Sequence, residues 1–240
     1  MTPLATFSAV RYAGARQLLG AMHMATQRPR LRGVRGLRFA KLMGSGSGIG
    51  FNARPDPSLW ALFAVWESPD DWVRFRDESM VMRQYRERGE EIYSLLLRPV
   101  ASHGRWSGCE PFGTLPDSPT PAPDEPLVVL TRAAIRLRRL VHFWSQVPSV
   151  DATLRGHPEL LLSFGVGEAP WIRQATLSVW RSDAGMRSWA YGSPHHREVV
   201  RRTREEGWYT EELFARFRLV GREGGIGGAD PLREIAAAPG

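Results

Sequence analysis

The sequence predicts an α+β protein built from two tandem copies of one strand–helix–strand–strand–helix–strand unit. Three observations lead there. LFAVW at residues 62–66 returns as TLSVW at 176–180, each followed by a short polar turn and then a helical segment rich in Arg and Glu. At a fixed offset of 114 residues Trp66 pairs with Trp180, Phe75 with Trp189, Ser79 with Ser193, Arg88 with Arg202 and Glu91 with Glu205. Between the copies lies PFGTLPDSPTPAPDEP, Pro111 to Pro126, with too many prolines for a helix or a central strand. The expected organisation is a first unit at 3–110, an extended surface linker at 111–125, a second unit at 126–222 and a glycine-rich flexible tail at 223–240.

Within the first unit Leu4–Val10 is a short apolar strand, and a helix near Ala13–Thr26 carries Leu18, Leu19, Met22 and His23 on one face. FAKLM (39–43) and Trp60–Trp66 supply two further strands. A helix over Pro69–Glu91 breaks near Ser79, and Ile92–Leu97 closes the unit. The second unit repeats this order: Leu127–Ala133, a helix near Ile135–Gln146, Leu161–Gly165, Gln174–Trp180, helices at Asp183–Ala190 and Pro194–Glu206, and a last strand at Ala215–Val220. This is the ferredoxin-like split βαβ order. A four-stranded sheet with helices on one face leaves the other face bare, and two such sheets can cover each other. The fused units are expected to form an intramolecular α+β barrel with a cavity between the sheets.

The single cysteine, Cys109, excludes an internal disulfide and any multi-cysteine metal site. No apolar run is long enough to span a bilayer, and the N-terminus lacks the pattern of a signal peptide, so a cytoplasmic location is expected. The net charge of +7 comes almost entirely from arginine, Lys41 being the one lysine. The arginines lie in mixed runs such as 83–88 and 201–206, which read as solvated helix faces. No zinc-finger or RNA-binding signature accompanies them, so no nucleic-acid partner is expected.

Three segments could carry chemistry. In YGSPHHREVVRRTREEGWY (191–209), Ser193 and Pro194 form a helix start, and His196 shares a face with Val199, Val200 and Thr203 while His195 falls on the Arg202 side. An inward His196 is either a core histidine bonded to a backbone carbonyl or a neutral imidazole on iron. The first unit has Met82 where the second has His196, and Val81 where it has His195, so one site in a pseudo-symmetric pair is expected. In KLMGSGSGIGF (41–51), Gly44, Gly46, Gly48 and Gly50 form a flexible hairpin or let backbone N–H groups approach an anion such as a phosphate or haem propionate, with Lys41 beside them. In GRWSG (104–108), Arg105 can pair with a carboxylate, and Trp106 either covers a seam or stacks on a flat ring.

The chain resembles the spheroidene monooxygenase family of carotenoid ketolases. The resemblance rests on KLMGSGSGIGF (41–51), RGEEIYSLLLRPVASHGRWSG (88–108), PLVVLTRA (126–133), FGVGEAPWIRQATLSVW (164–180) and GWYTEELFARFRLV (207–220), in order along nearly the whole chain. It implies the haem-binding dimeric α+β-barrel fold, a haem b and O₂ as co-substrate. It also implies an external electron donor and oxygenation of an apolar small molecule such as a carotenoid. The residue twelve before Trp208 is His196, which the resemblance makes the iron ligand, with His195 as the alternative and Lys41, Gly44, Gly46, Arg105 and Trp106 as further cofactor-binding candidates. Where the family's FAKLM-equivalent stretch carries Cys or Trp, this chain has Phe39-Ala40-Lys41-Leu42-Met43. The other readings are a cofactor-free barrel monooxygenase of an aromatic substrate, peroxide-dependent or dehydration chemistry on the same haem, and a non-enzymatic haem or pigment carrier. An oily substrate would give the basic charge a purpose through peripheral contact at the inner membrane. Duplication satisfies the barrel within one chain, so a monomer is expected ahead of a homodimer.

Overall fold

The computed structural model describes residues 3–47, 54–115, 122, 125–192 and 194–235, with the side chains of 194–196 outside that description. Eight strands are β1 (Leu4–Arg11), β2 (Leu37–Gly46), β3 (Pro55–Trp66), β4 (Glu91–Gly104), β5 (Leu127–Ile135), β6 (Leu160–Ala169), β7 (Arg173–Trp180) and β8 (Tyr209–Gly224). Six helices are α1 (Gln17–Leu31), α2 (Pro69–Glu78), α3 (Met80–Arg88), α4 (Leu140–Leu154), α5 (Asp183–Gly192) and α6 (Pro194–Glu205). The strands close antiparallel into a barrel in the order β1-β3-β2-β6-β7-β5-β8-β4. The two units meet along a long β4–β8 ladder and a short β2–β6 seam, Gly44–Gly167 and Ser45–Val166. The barrel thus closes within one chain.

Local chemistry explains the elements. β1 is buried on both faces, Ala5, Phe7 and Ala9 inward and Leu4, Ser8 and Val10 under the helices, because helices cover the sheet outside and the opposite sheet covers it inside. The break at Ser79 is a second N-cap: Ser68 accepts from Asp71 N–H with Pro69 following it, and Ser79 accepts from Met82 N–H at 3.1 Å. The equivalent cap expected at Ser193 lies outside the described residues.

Four expectations are corrected. First, α1 is phased differently: Leu18 and Met22 face solvent, while Gly20, His23 and Gln27 face the sheet. Gly20 is required there, since a Cβ would fall inside the Trp60 indole. Second, there is no open cavity between the sheets among the described residues. Phe7 packs on Phe164, Phe63 stacks on Trp106, and Phe112 meets Phe63 and Phe217, within one apolar cluster. Third, the segments expected to be a surface linker and a flexible tail partly close the barrel. Phe112 is buried from the first, Ile226 and Leu232 from the second, while 116–121, 123–124 and 236–240 lie outside the described residues.

Fourth, the repeat does not keep one offset. Topology makes Leu4 equivalent to Leu127, Trp66 to Trp180 and Gly104 to Gly224, because loop lengths differ between the units. The equivalent of Glu91 is therefore Glu211, at the start of the last strand, and not Glu205, at the end of α6. Each glutamate clamps the turn that follows the other unit's last strand. Glu211 accepts from Ser107 and Gly108 N–H at 2.8 and 2.6 Å, and Glu91 from Gly227 and Gly228 N–H at 2.9 and 2.6 Å. Burial alone would raise the Glu211 carboxyl, but those N–H groups and Arg132 hold it below its ordinary value.

Gly104 and Gly108 bracket the first of these turns, both at positive φ, 93° and 75°. A Cβ at Gly104 would run into the Glu212 carbonyl, whereas nothing lies within 4 Å of one at Gly108. Gly108→Ala is expected to cost about 1 kcal/mol in backbone strain alone, and Gly104→Ala about 3 kcal/mol because the clash adds to it. Urea unfolding of the two variants checks the ranking.

Candidate functional site

The two units bury their outer sheet faces differently, and that difference locates the site. Following the strand register across the first unit gives the row Leu42, Leu62, Ser8, Ser94; the equivalent row in the second unit is Gly165, Thr176, Thr131, Phe214. The first row is sealed: Leu62 and Leu42 are buried, and the Ser8 and Ser94 hydroxyls satisfy each other at 2.8 Å. In the second row Thr131 and Thr176 are half-exposed and Phe214 is 38% exposed. Beside them Ser163 Oγ is buried with no hydrogen-bond partner among the described residues.

The covering helices tell the same story. α1 lies directly on β2 and β3, while α4 makes no comparable approach to β6 and β7. One continuous apolar cluster fills the helix–sheet layer of the first unit. In the second that layer divides into Leu127, Val129, Leu154, Trp180 and Met186 at one end, and Ile135, Phe143 and Trp208 at the other. Between them the floor is glycine, hydroxyl and one phenyl ring. A flat ligand with a large apolar area and a few polar atoms matches that lining.

His195 and His196 belong to α6, which roofs this layer, and their side chains lie outside the described residues. Their first-unit equivalents, Val81 and Met82, are both buried against the sheet. Further along α6, Val199 packs in the Phe143–Trp208 cluster and Thr203 Oγ1 donates to the Val199 carbonyl at 2.8 Å, while Val200 turns outward. The remaining candidates lie elsewhere. Gly44 packs beneath Trp60, and Gly46 pairs with Pro55; Gly48 and Gly50 lie outside the described residues. Arg105 is exposed, 3.7 Å from Glu110.

Lys41 and Trp106 do come together, in a charged cluster at the barrel mouth. Lys41 Nζ lies 3.1 Å from Glu168 and donates to Ser107 Oγ at 2.7 Å; Trp106 Nε1 donates to Glu168 at 2.6 Å. Arg132, buried to 2% exposure, reaches Glu168 at 3.4 Å and pairs with Glu211. The flat ring that Trp106 stacks on is Phe63. Arg132, Glu168 and Glu211 were not legible as a group in the sequence, because each comes from a different strand; the only signal was an arginine inside the otherwise apolar LVVLTRAAI. Among the described residues no cluster of His, Cys, Asp and Glu is suited to hold a bare metal ion.

Burial alone would raise the Glu168 carboxyl, but the Trp106 hydrogen bond and the charges of Lys41 and Arg132 outweigh it and hold it below its ordinary value. A lowered carboxyl contributes stability that is complete above the ordinary carboxylate range, about 4.3, and lost as pH falls through the lowered folded value. Glu168→Gln leaves buried Arg132 and half-buried Lys41 short of a partner and is expected to cost about 3 kcal/mol at neutral pH. Its urea midpoint should also fall less steeply than the parent's below about pH 4; an equally steep acid limb would assign that loss to other carboxylates.

No family model matches the chain. It is 38% identical over 232 residues to a spheroidene monooxygenase of Rhodobacter capsulatus, covering 96% of this chain and 95% of that one. It is 34% identical over 192 residues to a spheroidene monooxygenase of Rubrivivax gelatinosus, covering 80% and 72%. Among solved structures an aldoxime dehydratase superposes with a TM-score of 0.63 at 13% identity, over 99% of this chain and 89% of that one, a likeness of fold. By sequence along almost its full length, the chain belongs to the spheroidene monooxygenase family.

Proposed function

We propose that the protein is a haem-dependent monooxygenase of an apolar, carotenoid-like substrate, with haem b in the helix–sheet layer of the second unit and His196 on α6 as its iron ligand. The observation that carries this is the row Gly165, Thr176, Thr131, Phe214, part-exposed from Thr176 to Phe214 beside a buried glycine, where the first unit has a sealed one. The residues present fit the group. Small side chains would leave room for a macrocycle, Phe214 would offer a ring to its edge, and the Ser163 hydroxyl, without a partner among the described residues, would be a donor for a polar substituent. Position 196 corresponds in the repeat to Met82, which is buried, and this supports His196 as the ligand.

Bound haem supplies activation of O₂ with electrons from an external donor. The overall balance inserts one oxygen atom into a C–H bond and releases the other as water, consuming two electrons and two protons. The protein's own residues do the rest. The Phe143–Trp208 and Trp180–Met186 clusters flank the row at its two ends and would bound an apolar slot for the substrate chain.

Reconstitution with haem b should give a Soret band that His196→Ala abolishes and His195→Ala retains. Gly165→Leu with Thr176→Leu copies the first unit's sealed row. It should leave the circular dichroism and melting temperature intact or raised while weakening haem binding at least about tenfold, the loss that overpacking of a filled slot implies. A parent protein that takes up no haem, or a filled variant that still binds it fully, would overturn the proposal.

A further inference from the structure

The start of α4 and the β6–β7 turn form a second feature of the same unit. Leu137 and Val141, about one helical turn apart, are 70% and 85% exposed, and Trp171 at the turn tip is 51% exposed. They share one surface, because half-buried Trp144, three residues beyond Val141, donates from Nε1 to the Trp171 carbonyl at 3.1 Å. Trp171 has φ 62° and follows Pro170, in a turn closed by Ile172 N–H to the Ala169 carbonyl at 3.3 Å. Glycine or asparagine ordinarily fills that position, so the backbone is strained to place a large, half-exposed side chain there.

The charge flanking these side chains is mainly basic. Ile135–Val141 and Pro170–Arg173 contain no acidic residue; of their four arginines, half-buried Arg139 pairs with Glu206 at 3.4 Å, while Arg136, Arg138 and Arg173 are exposed with no carboxylate partner among the described residues. Indole at the headgroup boundary, aliphatic side chains just below it and arginine on phosphate oxygens are the groups that hold a protein on an anionic bilayer. No helix is long and apolar enough to cross a membrane, so the contact is with its surface.

We propose that Leu137, Val141 and Trp171, flanked by Arg136, Arg138 and Arg173, dock the protein peripherally on an anionic lipid surface. The docking rests on no part of the haem reading. It adds a route, since α4 carries this patch on one side and walls the proposed pocket on the other.

Co-sedimentation with phosphatidylcholine vesicles, with and without phosphatidylglycerol, tests it. Binding should require the anionic lipid and weaken as salt is raised. Trp171→Gly relieves the turn, so it should melt at the same temperature or higher while binding about tenfold less, as loss of one interfacial anchor implies. Arg138→Glu with Arg173→Glu should remove the preference for phosphatidylglycerol. Absence of vesicle binding, or binding unchanged in both variants, would overturn the proposal. So would a concentration-dependent dimer that Trp171→Gly dissolves without any lipid binding, which would make the patch an interface between copies. These readouts use neither haem nor turnover, so their failure and that of the oxygenase reading are separable.

Discussion

The rest of the structure depends on the closure of eight strands around a solid interior. The ladder closes where β4 meets β8 along its length and β2 meets β6 at two residue pairs, and the space inside is lined by phenyl, indole and branched aliphatic groups. The helix-covered outer faces differ between the two units. The first unit has filled that face and the second has left it open.

Leaving it open has an energetic consequence. Where the first unit buries Leu42 and Leu62, the second places Gly165 and Thr176, forgoing roughly 1.5–3 kcal/mol of apolar burial at each position. A bound apolar ligand would recover that burial. The two halves thus differ: the first has an unbroken helix–sheet layer, and the second has two separate apolar clusters with a part-exposed row between them.

The charged cluster at the barrel mouth is asymmetric in the same sense. Arg132 stands where the first unit has Ala9, and Glu168 where it has Ser45, so only one seam carries buried ions. Lys41 joins that seam by pairing with Glu168 across β2 and β6, where the ladder is shortest. Buried charges of this kind are expensive singly and tolerable only when mutually satisfied, so their role here is to fix the register of the two units.

Strand and helix order, the duplication and the asymmetry of Met82 against His196 were all legible in the sequence, because they are carried by local pattern and by repetition along the chain. The phase of α1 was not: Leu18 and Met22 look like a buried face until Trp60, forty residues away, takes the space beside Gly20. Nor were the filled barrel, the inward turn of Phe112 and Leu232, or the row Gly165, Thr176, Thr131, Phe214, whose members come from four strands. Sequence by itself determined which units are built and how often; only the tertiary structure decided which face stays open, because openness depends on side chains brought together by strand pairing and not by spacing along the chain.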